Sequence, residues 1–186
     1  MSNYSLKLFL RGTLLVAATL AIPLIGFSQS DSKKEKIEAD AQEAKAEFIK
    51  ADPKMASLFS DAYGYVIFPN VGKGAVVVGG ASGNGVVYEK NTKVGTAKLA
   101  QVSVGFQWGG QAYREVIFFQ TKEDMERFKQ NRVELSAQVS AVAVKTGASA
   151  NAKYVEGVMV FTMQKGGLMY EAAVGGQKFD FEPDKK

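Results

Sequence analysis

Apolar positions follow a helical period between residues 37 and 62 and the shorter period of β-strands from residue 65 onward. The first stretch predicts an amphipathic helix from Ile37 to about Ala51, because its apolar residues recur three or four positions apart. The predicted buried stripe is Ile37, Ala41, Ala44 and Phe48. Asp52 and Pro53 suit the start of a helix, so a second, short helix is expected after them. Its predicted buried face is Met55, Leu58, Phe59 and Ala62.

The remainder of the chain alternates short apolar runs with glycine-rich turns, which is typical of β-strands. Strands are predicted over residues 65–68, 75–78, 85–89, 99–106, 113–119, 133–144, 155–163 and 168–174. Pro69-Asn70 and the glycine cluster at 79–85 are interpreted as turns. A helix is predicted over 121–131, where Thr121 and Asp124 have the spacing of a capping box. The pattern predicts an α+β fold that is mainly β. It comprises an antiparallel barrel-like or sandwich sheet, an N-terminal helical segment and one helix inserted near 121–131.

The first 28 residues have the layout of a secretory signal peptide. Lys7 and Arg11 give a positive start, an apolar run follows from Leu14 to Ile25, and Gly26-Phe27-Ser28 offers small residues at the −3 and −1 positions of a cleavage site after Ser28. The run is shorter than the roughly 20 apolar residues of a membrane span. Cleavage is therefore expected, with a retained N-terminal anchor as the alternative. We expect a periplasmic or secreted protein that associates peripherally with membranes. Its expected parts are a signal peptide (1–28), a flexible tether (29–36), a single domain (37–183) and a polar tail (184–186).

Two missing residue types narrow the possible chemistry. The 186-residue chain has no His and no Cys, so His-based catalysis, thiol nucleophiles, thiolate metal sites and disulfides are excluded. Its formal net charge is +4. Without Lys7 and Arg11 the balance is 21 basic against 19 acidic residues, with both signs interspersed. We therefore expect no nucleic-acid partner.

No motif in the chain predicts a catalytic or cofactor site. The glycine-rich segment 72–77 has Val77 where a dinucleotide fingerprint needs its third Gly, and no P-loop is present. The carboxylates with apolar sequence neighbours are Asp61, Glu115, Glu156 and Glu171. A hydrolase would need two of them to converge, and solvated strand faces are the expectation. We therefore predict a non-enzymatic protein with no catalytic, cofactor or metal residues.

Several glycine-rich segments resemble the SYLF-domain family. They are residues 68–74, 78–80 and 83–87, the segment 102–111, and the C-terminal stretches 135–147 and 157–175. The resemblance implies a lipid-binding module, since eukaryotic members bind phosphoinositides and yeast-type members also bind actin. Bacterial members are small exported envelope proteins. This chain has no Src-homology-3 domain, and its N-terminal helix is acidic as well as basic, so actin is not among the expected partners.

The leading hypothesis is an exported, non-enzymatic domain of the cell envelope that binds lipid or a membrane surface. The predicted lipid contacts are Lys33, Lys34 and Lys36 before the first helix, with Lys73 in a loop as a second point. Interleaved acidic residues leave open a simpler interpretation, in which the first helix is a soluble helix that packs on the core of the protein. The competing function is a structural or protein-partner-binding envelope protein.

Overall fold

The computed structural model describes residues 25–72, 80–102, 112–131, 133, 141–165 and 176–184, with the backbone alone at 25–31 and 102. Three α-helices lie in this part of the chain: α1 (Ile25–Ala51), α2 (Met55–Asp61) and α3 (Lys122–Lys129). The strands are β1 (Gly64–Gly72), β2 (Gly80–Glu89), β3 (Thr92–Val102), β4 (Tyr113–Phe119), β5 (Val142–Ala143), β6 (Val158–Gln164) and β7 (Gln177–Pro183). A 3-10 helix covers Ala148–Asn151.

The seven strands form one sheet in the order β5-β6-β4-β1-β2-β3-β7. All neighbouring pairs are antiparallel except β5 and β6, which are parallel. The predicted α+β class, mainly β, is confirmed, as are the N-terminal helical segment and the inserted helix. The sheet is not closed into a barrel, because β5 and β7 remain edges among the described strands.

The sheet is nevertheless strongly curled. Four strand spacings separate β4 from β7, which is about 19 Å on a flat sheet. Yet Gln177 Nε2 on β7 lies 2.9 Å from Glu115 Oε2 on β4. Gly85 supports the curl, because a Cβ there would lie 2.7 Å from both the Ile67 carbonyl oxygen and the Phe68 ring. The curl gives the sheet a concave inner face and an outer face.

The outer face is covered by α1 and α2. The predicted stripes are confirmed, since the fully buried helix side chains include Ala41, Ala44, Phe48, Met55 and Phe59. They pack against a sheet layer that contains Tyr65, Ile67, Val86, Tyr88, Val116, Phe118, Met159 and Phe161. The tyrosine hydroxyls of this layer reach polar partners: Lys45 Nζ donates to Tyr65 at 2.9 Å, and Gln42 Nε2 donates to Tyr88 at 2.8 Å.

The lower part of the inner face is apolar and is closed by α3. Met125 and Phe128 on α3 are fully buried. They pack with Val66, Phe68, Ile117, Phe119, Val160 and Phe179. The capping box is confirmed: Thr121 Oγ1 accepts from the Asp124 amide at 3.2 Å, and Asp124 Oδ2 accepts from the Thr121 amide at 3.1 Å.

The first helix begins twelve residues earlier than predicted, at Ile25 rather than Ile37. Residues 29–36, predicted as a flexible tether, are therefore helical. No Pro or Gly follows Phe27 before the helix ends, and Lys, Glu and Gln are good helix formers, so nothing in the sequence stops the helix sooner. Among the described residues, no helix is both long enough and apolar enough to cross a bilayer.

Two predicted turns are strand instead. Pro69-Asn70 lies inside β1, where the pairing with both neighbours shifts register in the manner of a β-bulge. The glycines at 80, 83 and 85 pair with Val102, Leu99 and Ala97 on β3. Strand pairing across the sheet has overridden the local preference for turns. Of the predicted strand 133–144, residues 142–143 form β5. Residues 134–140 and the predicted strands 75–78 and 168–174 lie outside the described part.

Candidate functional site

The predicted lipid contacts Lys33, Lys34 and Lys36 lie together on α1. Residues 32–36 are all exposed, which is more than the 3.6 residues of one helical turn. A full exposed turn means that none of the side chains at 32–36 is buried against the sheet. We call residues 32–36 the basic turn. Among the described side chains, no carboxylate oxygen lies within 4.0 Å of these three lysines. Lys73 lies outside the described residues.

A second group of polar side chains occupies the upper part of the inner face. We call it the polar layer, and its members are Gln101 on β3, Tyr113 and Glu115 on β4, Thr162 on β6 and Gln177 on β7. The alternation of each strand places them on the same side as the apolar inner core, since Ile117, Val160 and Phe179 lie two residues away from polar-layer members on the same strands. Glu115, Thr162 and Gln177 are 0% exposed, so these three side chains are sealed from water, while Tyr113 is partly exposed.

Gln177 is the centre of the hydrogen bonding in the polar layer. Its Nε2 donates to Glu115 Oε2 at 2.9 Å and approaches Gln101 Oε1 at 3.3 Å and the Tyr113 hydroxyl at 3.4 Å. The Tyr113 hydroxyl also lies 3.4 Å from Gln101 Oε1. Glu115 and Thr162 are directly opposite each other on β4 and β6. The curl of the sheet thus brings four strands together around one carboxylate.

Three buried oxygens of the polar layer have no hydrogen-bond partner among the described residues: Glu115 Oε1, Thr162 Oγ1 and Gln177 Oε1. An unpaired buried polar atom costs about 1–3 kcal/mol, so native proteins keep few of them. Burial raises the pKa of Glu115 to about 7, even though hydrogen bonds from Gln177 and Tyr113 act in the opposite direction. Burial, together with the Glu115 charge, also raises the pKa of Tyr113. A buried carboxyl group with so shifted a pKa is typical of functional sites.

The polar layer can hold a ligand through hydrogen bonds and one negative charge. It contains a single carboxylate, and the other predicted candidates do not join it: Asp61 and Glu156 are exposed, and Glu171 lies outside the described residues. A carboxylate-pair hydrolase would need a second acidic group at this place. In the described part of the chain, no cluster of three or more acidic side chains could hold a metal ion.

Sequence reasoning named Glu115 but placed it on a solvated strand face, which is wrong, because the side chain is fully buried. The signal that could have corrected this is the strand itself. Val116, Ile117, Phe118 and Phe119 follow Glu115 and make both faces of β4 apolar, as in a strand buried on both sides. Gln101, Thr162 and Gln177 were missed entirely, because the curl that gathers them has no local signature.

Comparison with known proteins gives two matches. Residues 100–185 match the Ysc84 family, described as "Las17-binding protein actin regulator". Beta cell expansion factor A of Aeromonas veronii is 29% identical over 133 residues, which are 71% of this chain and 51% of that protein. The chain therefore spans about half the length of this curated relative. The family match includes the whole polar layer and leaves out the basic turn.

Proposed function

Because both matches confirm the resemblance to the SYLF (Ysc84) family, we propose that this protein is an exported, non-enzymatic domain that binds lipid at a membrane surface of the cell envelope. The family is one of binding domains that are associated with lipid and actin. The sequence of residues 1–28 supports export into the periplasm or the medium, and we place membrane association at the periphery. Actin is not among the proposed partners, since an exported protein would not meet it.

The observation that carries this proposal is the exposure of the whole basic turn. Lys33, Lys34 and Lys36 are exposed on a helical turn that carries only one acidic side chain, Glu35. Each Lys near an anionic lipid surface contributes about 1 kcal/mol of attraction, so three together supply roughly a hundredfold in affinity. Because the rest of α1 is anchored by Ala41, Ala44 and Phe48, the turn is presented on a rigid support. The attraction is electrostatic, so it should weaken as salt is added.

A vesicle titration tests the contact. The exported form is mixed with phosphatidylglycerol–phosphatidylcholine vesicles at low salt and co-sedimented. We expect binding by the unaltered protein and a loss of roughly a hundredfold in the triple variant Lys33→Gln, Lys34→Gln, Lys36→Gln. The matched control replaces three exposed lysines elsewhere, Lys122, Lys145 and Lys153, with Gln. It makes the same change in net charge and should weaken binding far less.

The same titration separates the proposal from its competitor. The basic turn lies outside the core, so the thermal melt of the triple variant should match that of the unaltered protein. Failure of the unaltered protein to bind these vesicles at low salt would contradict lipid binding. It would favour the partner-binding role instead. That role draws no support from the described surface, where Val155, at 39%, is the large hydrophobic side chain that is exposed.

A further inference from the structure

The polar layer presents more hydrogen-bond acceptors than its own side chains can satisfy. The fully buried atoms Glu115 Oε1, Thr162 Oγ1 and Gln177 Oε1 lack partners in the described part of the chain. They belong to one contiguous group, because Thr162 lies opposite Glu115 and Gln177 is hydrogen-bonded to Glu115 at 2.9 Å. Two of the three oxygens, those of the carboxyl group and the amide, can only accept while Glu115 is ionised. A complementary ligand must therefore supply donors.

The charge of the polar layer further narrows the class of ligand that it can bind. No Lys or Arg acts on Glu115 among the described residues, and Gln177 and Tyr113 are the side chains that do. The groups that face it from the packed strands are Tyr113 on β4, Gln101 on β3, Thr162 and Gln164 on β6 and Gln177 on β7. Of these only Tyr113 is titratable, and it stays neutral because burial raises its pKa. A buried carboxylate without a cation is costly, so the missing ligand should be cationic.

We propose that the polar layer is a binding site for a small primary ammonium group, carried either by a free amine such as ethanolamine or by the head group of an aminophospholipid. A primary ammonium has three N–H donors and no acceptor, which matches three unpartnered oxygens, one of which belongs to a carboxylate. An anionic ligand would be repelled by Glu115. A quaternary ammonium has no N–H to donate, and a neutral polyol would leave the carboxylate charge unpaired.

The polar layer lies where several strands of the sheet begin or end. Tyr113 and Gln177 are the first residues of β4 and β7, and Gln101 is the second-last residue of β3. Apolar side chains fill the inner face below them, with Phe119, Phe128 and Phe179 at its base. The ends of curled sheets and barrels are frequent ligand sites, with a few polar groups above an apolar floor.

Calorimetric titration with ethanolamine hydrochloride tests the site on the full exported chain. We expect binding at pH 8, where Glu115 is ionised, and affinity about tenfold weaker at pH 6, since the Glu115 pKa is about 7. Tetramethylammonium chloride should not bind at either pH. Absence of ethanolamine binding at millimolar concentration at pH 8 would overturn the proposal.

Two variants assign the binding to the polar layer. Glu115→Gln removes the charge and keeps the shape, and should cost at least tenfold in affinity and abolish the pH dependence. Thr162→Val removes one acceptor without changing charge and should weaken binding less, which keeps the test decisive if Glu115→Gln fails to fold. Glu123→Gln, an exposed carboxylate on α3, is the matched control and should bind like the unaltered protein. If Thr162→Val bound ethanolamine as tightly as the unaltered protein does, the assignment to the polar layer would be refuted. The same holds if a folded Glu115→Gln bound ethanolamine as tightly.

A second experiment, on vesicles, identifies the source of the ammonium group. Phosphatidylcholine vesicles with and without phosphatidylethanolamine are compared, using the Lys33/Lys34/Lys36 triple variant so that the basic turn does not contribute. Stronger binding to the phosphatidylethanolamine vesicles identifies the lipid head group as a ligand. Ethanolamine binding with no difference between the vesicles identifies a free amine. Because this site is probed without anionic lipid, its failure and the failure of the proposed membrane contact are distinguishable.

Discussion

Two buried carboxylates, one on each side of the molecule, have opposite surroundings. Asp52 lies where α1 meets α2, on the outer side, and Glu115 lies in the polar layer of the inner face; they are 1% and 0% exposed. Both oxygens of Asp52 are used: Oδ2 accepts from the Ser149 amide at 2.8 Å and hydroxyl at 2.7 Å, and Oδ1 accepts from the Lys54 amide at 3.2 Å. Glu115 has one oxygen without a partner among the described residues.

The pKa values of the two groups record this difference. Burial acts to raise the pKa of Asp52, but hydrogen bonds from Ser149, Lys54 and Gly147 outweigh it, so the pKa lies below its usual value. At Glu115 burial outweighs the hydrogen bonds and raises the pKa to about 7. A buried carboxylate whose partners are complete stabilises the fold. A buried carboxylate whose hydrogen-bond partners are incomplete destabilises the fold. This is the expected condition of a binding site without its ligand.

The largest expected effect comes from removing an aromatic ring from the outer core. Phe118 is fully buried, and its ring centroid lies 4.9 Å from Phe59 and 5.9 Å from Phe161. Phe118→Ala should lower the free energy of unfolding by about 3–5 kcal/mol. Phe128→Ala, below the polar layer, is the inner-face counterpart and should cost a similar amount. Urea unfolding measures both. A loss under 1 kcal/mol at Phe118 would show that the outer face is not the structural core of the domain.

The second effect is a pH dependence that belongs to Glu115. The ordinary pKa of this group is 4.5 and the folded value is about 7, so between these pH values the folded protein keeps a proton that the unfolded chain has lost. The free energy of unfolding therefore falls as pH rises through this window. The stabilising contribution of protonated Glu115 to the free energy of unfolding amounts to roughly 3 kcal/mol and is fully lost above pH 7.

Urea unfolding at pH 4.5 and pH 8 on the unaltered protein and on Glu115→Gln isolates this contribution. The variant lacks the titrating group, so its stability should change less between the two pH values. The comparison is clean because the chain has no His, whose titration would fall in the same range. Parallel pH profiles for the two proteins would mean that Glu115 titrates normally. The inner face would then resemble the outer one.

The two sides of the molecule also differ in how far the sequence predicts them. The outer helices follow from local patterns, because Ala41, Ala44 and Phe48 recur at a helical period and are buried. Likewise, α3 follows from the Thr121–Asp124 spacing, and the predicted strand 113–119 has the bounds of β4. The polar layer depends on contacts between distant residues, such as Gln177 and Glu115, which are 62 positions apart. No strand was predicted at β7, because its polar and charged residues mask the alternation of Phe179 and Phe181.

The smallest expected effect is the loss of the Asp52 hydrogen bonds. Asp52→Ala leaves the Ser149 amide and hydroxyl without their acceptor in a buried place, and should cost about 2 kcal/mol at pH 7. Since the folded pKa of Asp52 is depressed, its stabilising contribution is present above the ordinary pKa of 3.8 and is lost as pH falls below it. The difference in the free energy of unfolding between Asp52→Ala and the unaltered protein should therefore shrink toward pH 2–3. This pH dependence is opposite in direction to that of Glu115.

The matched control is Asp61→Ala, which removes an exposed carboxylate on α2 and should change the free energy of unfolding by less than about 0.5 kcal/mol. Urea unfolding across the acid range measures all three proteins. If Asp52→Ala proved as mild as the control, the contrast between a satisfied carboxylate on one side and an unsatisfied one on the other would fail.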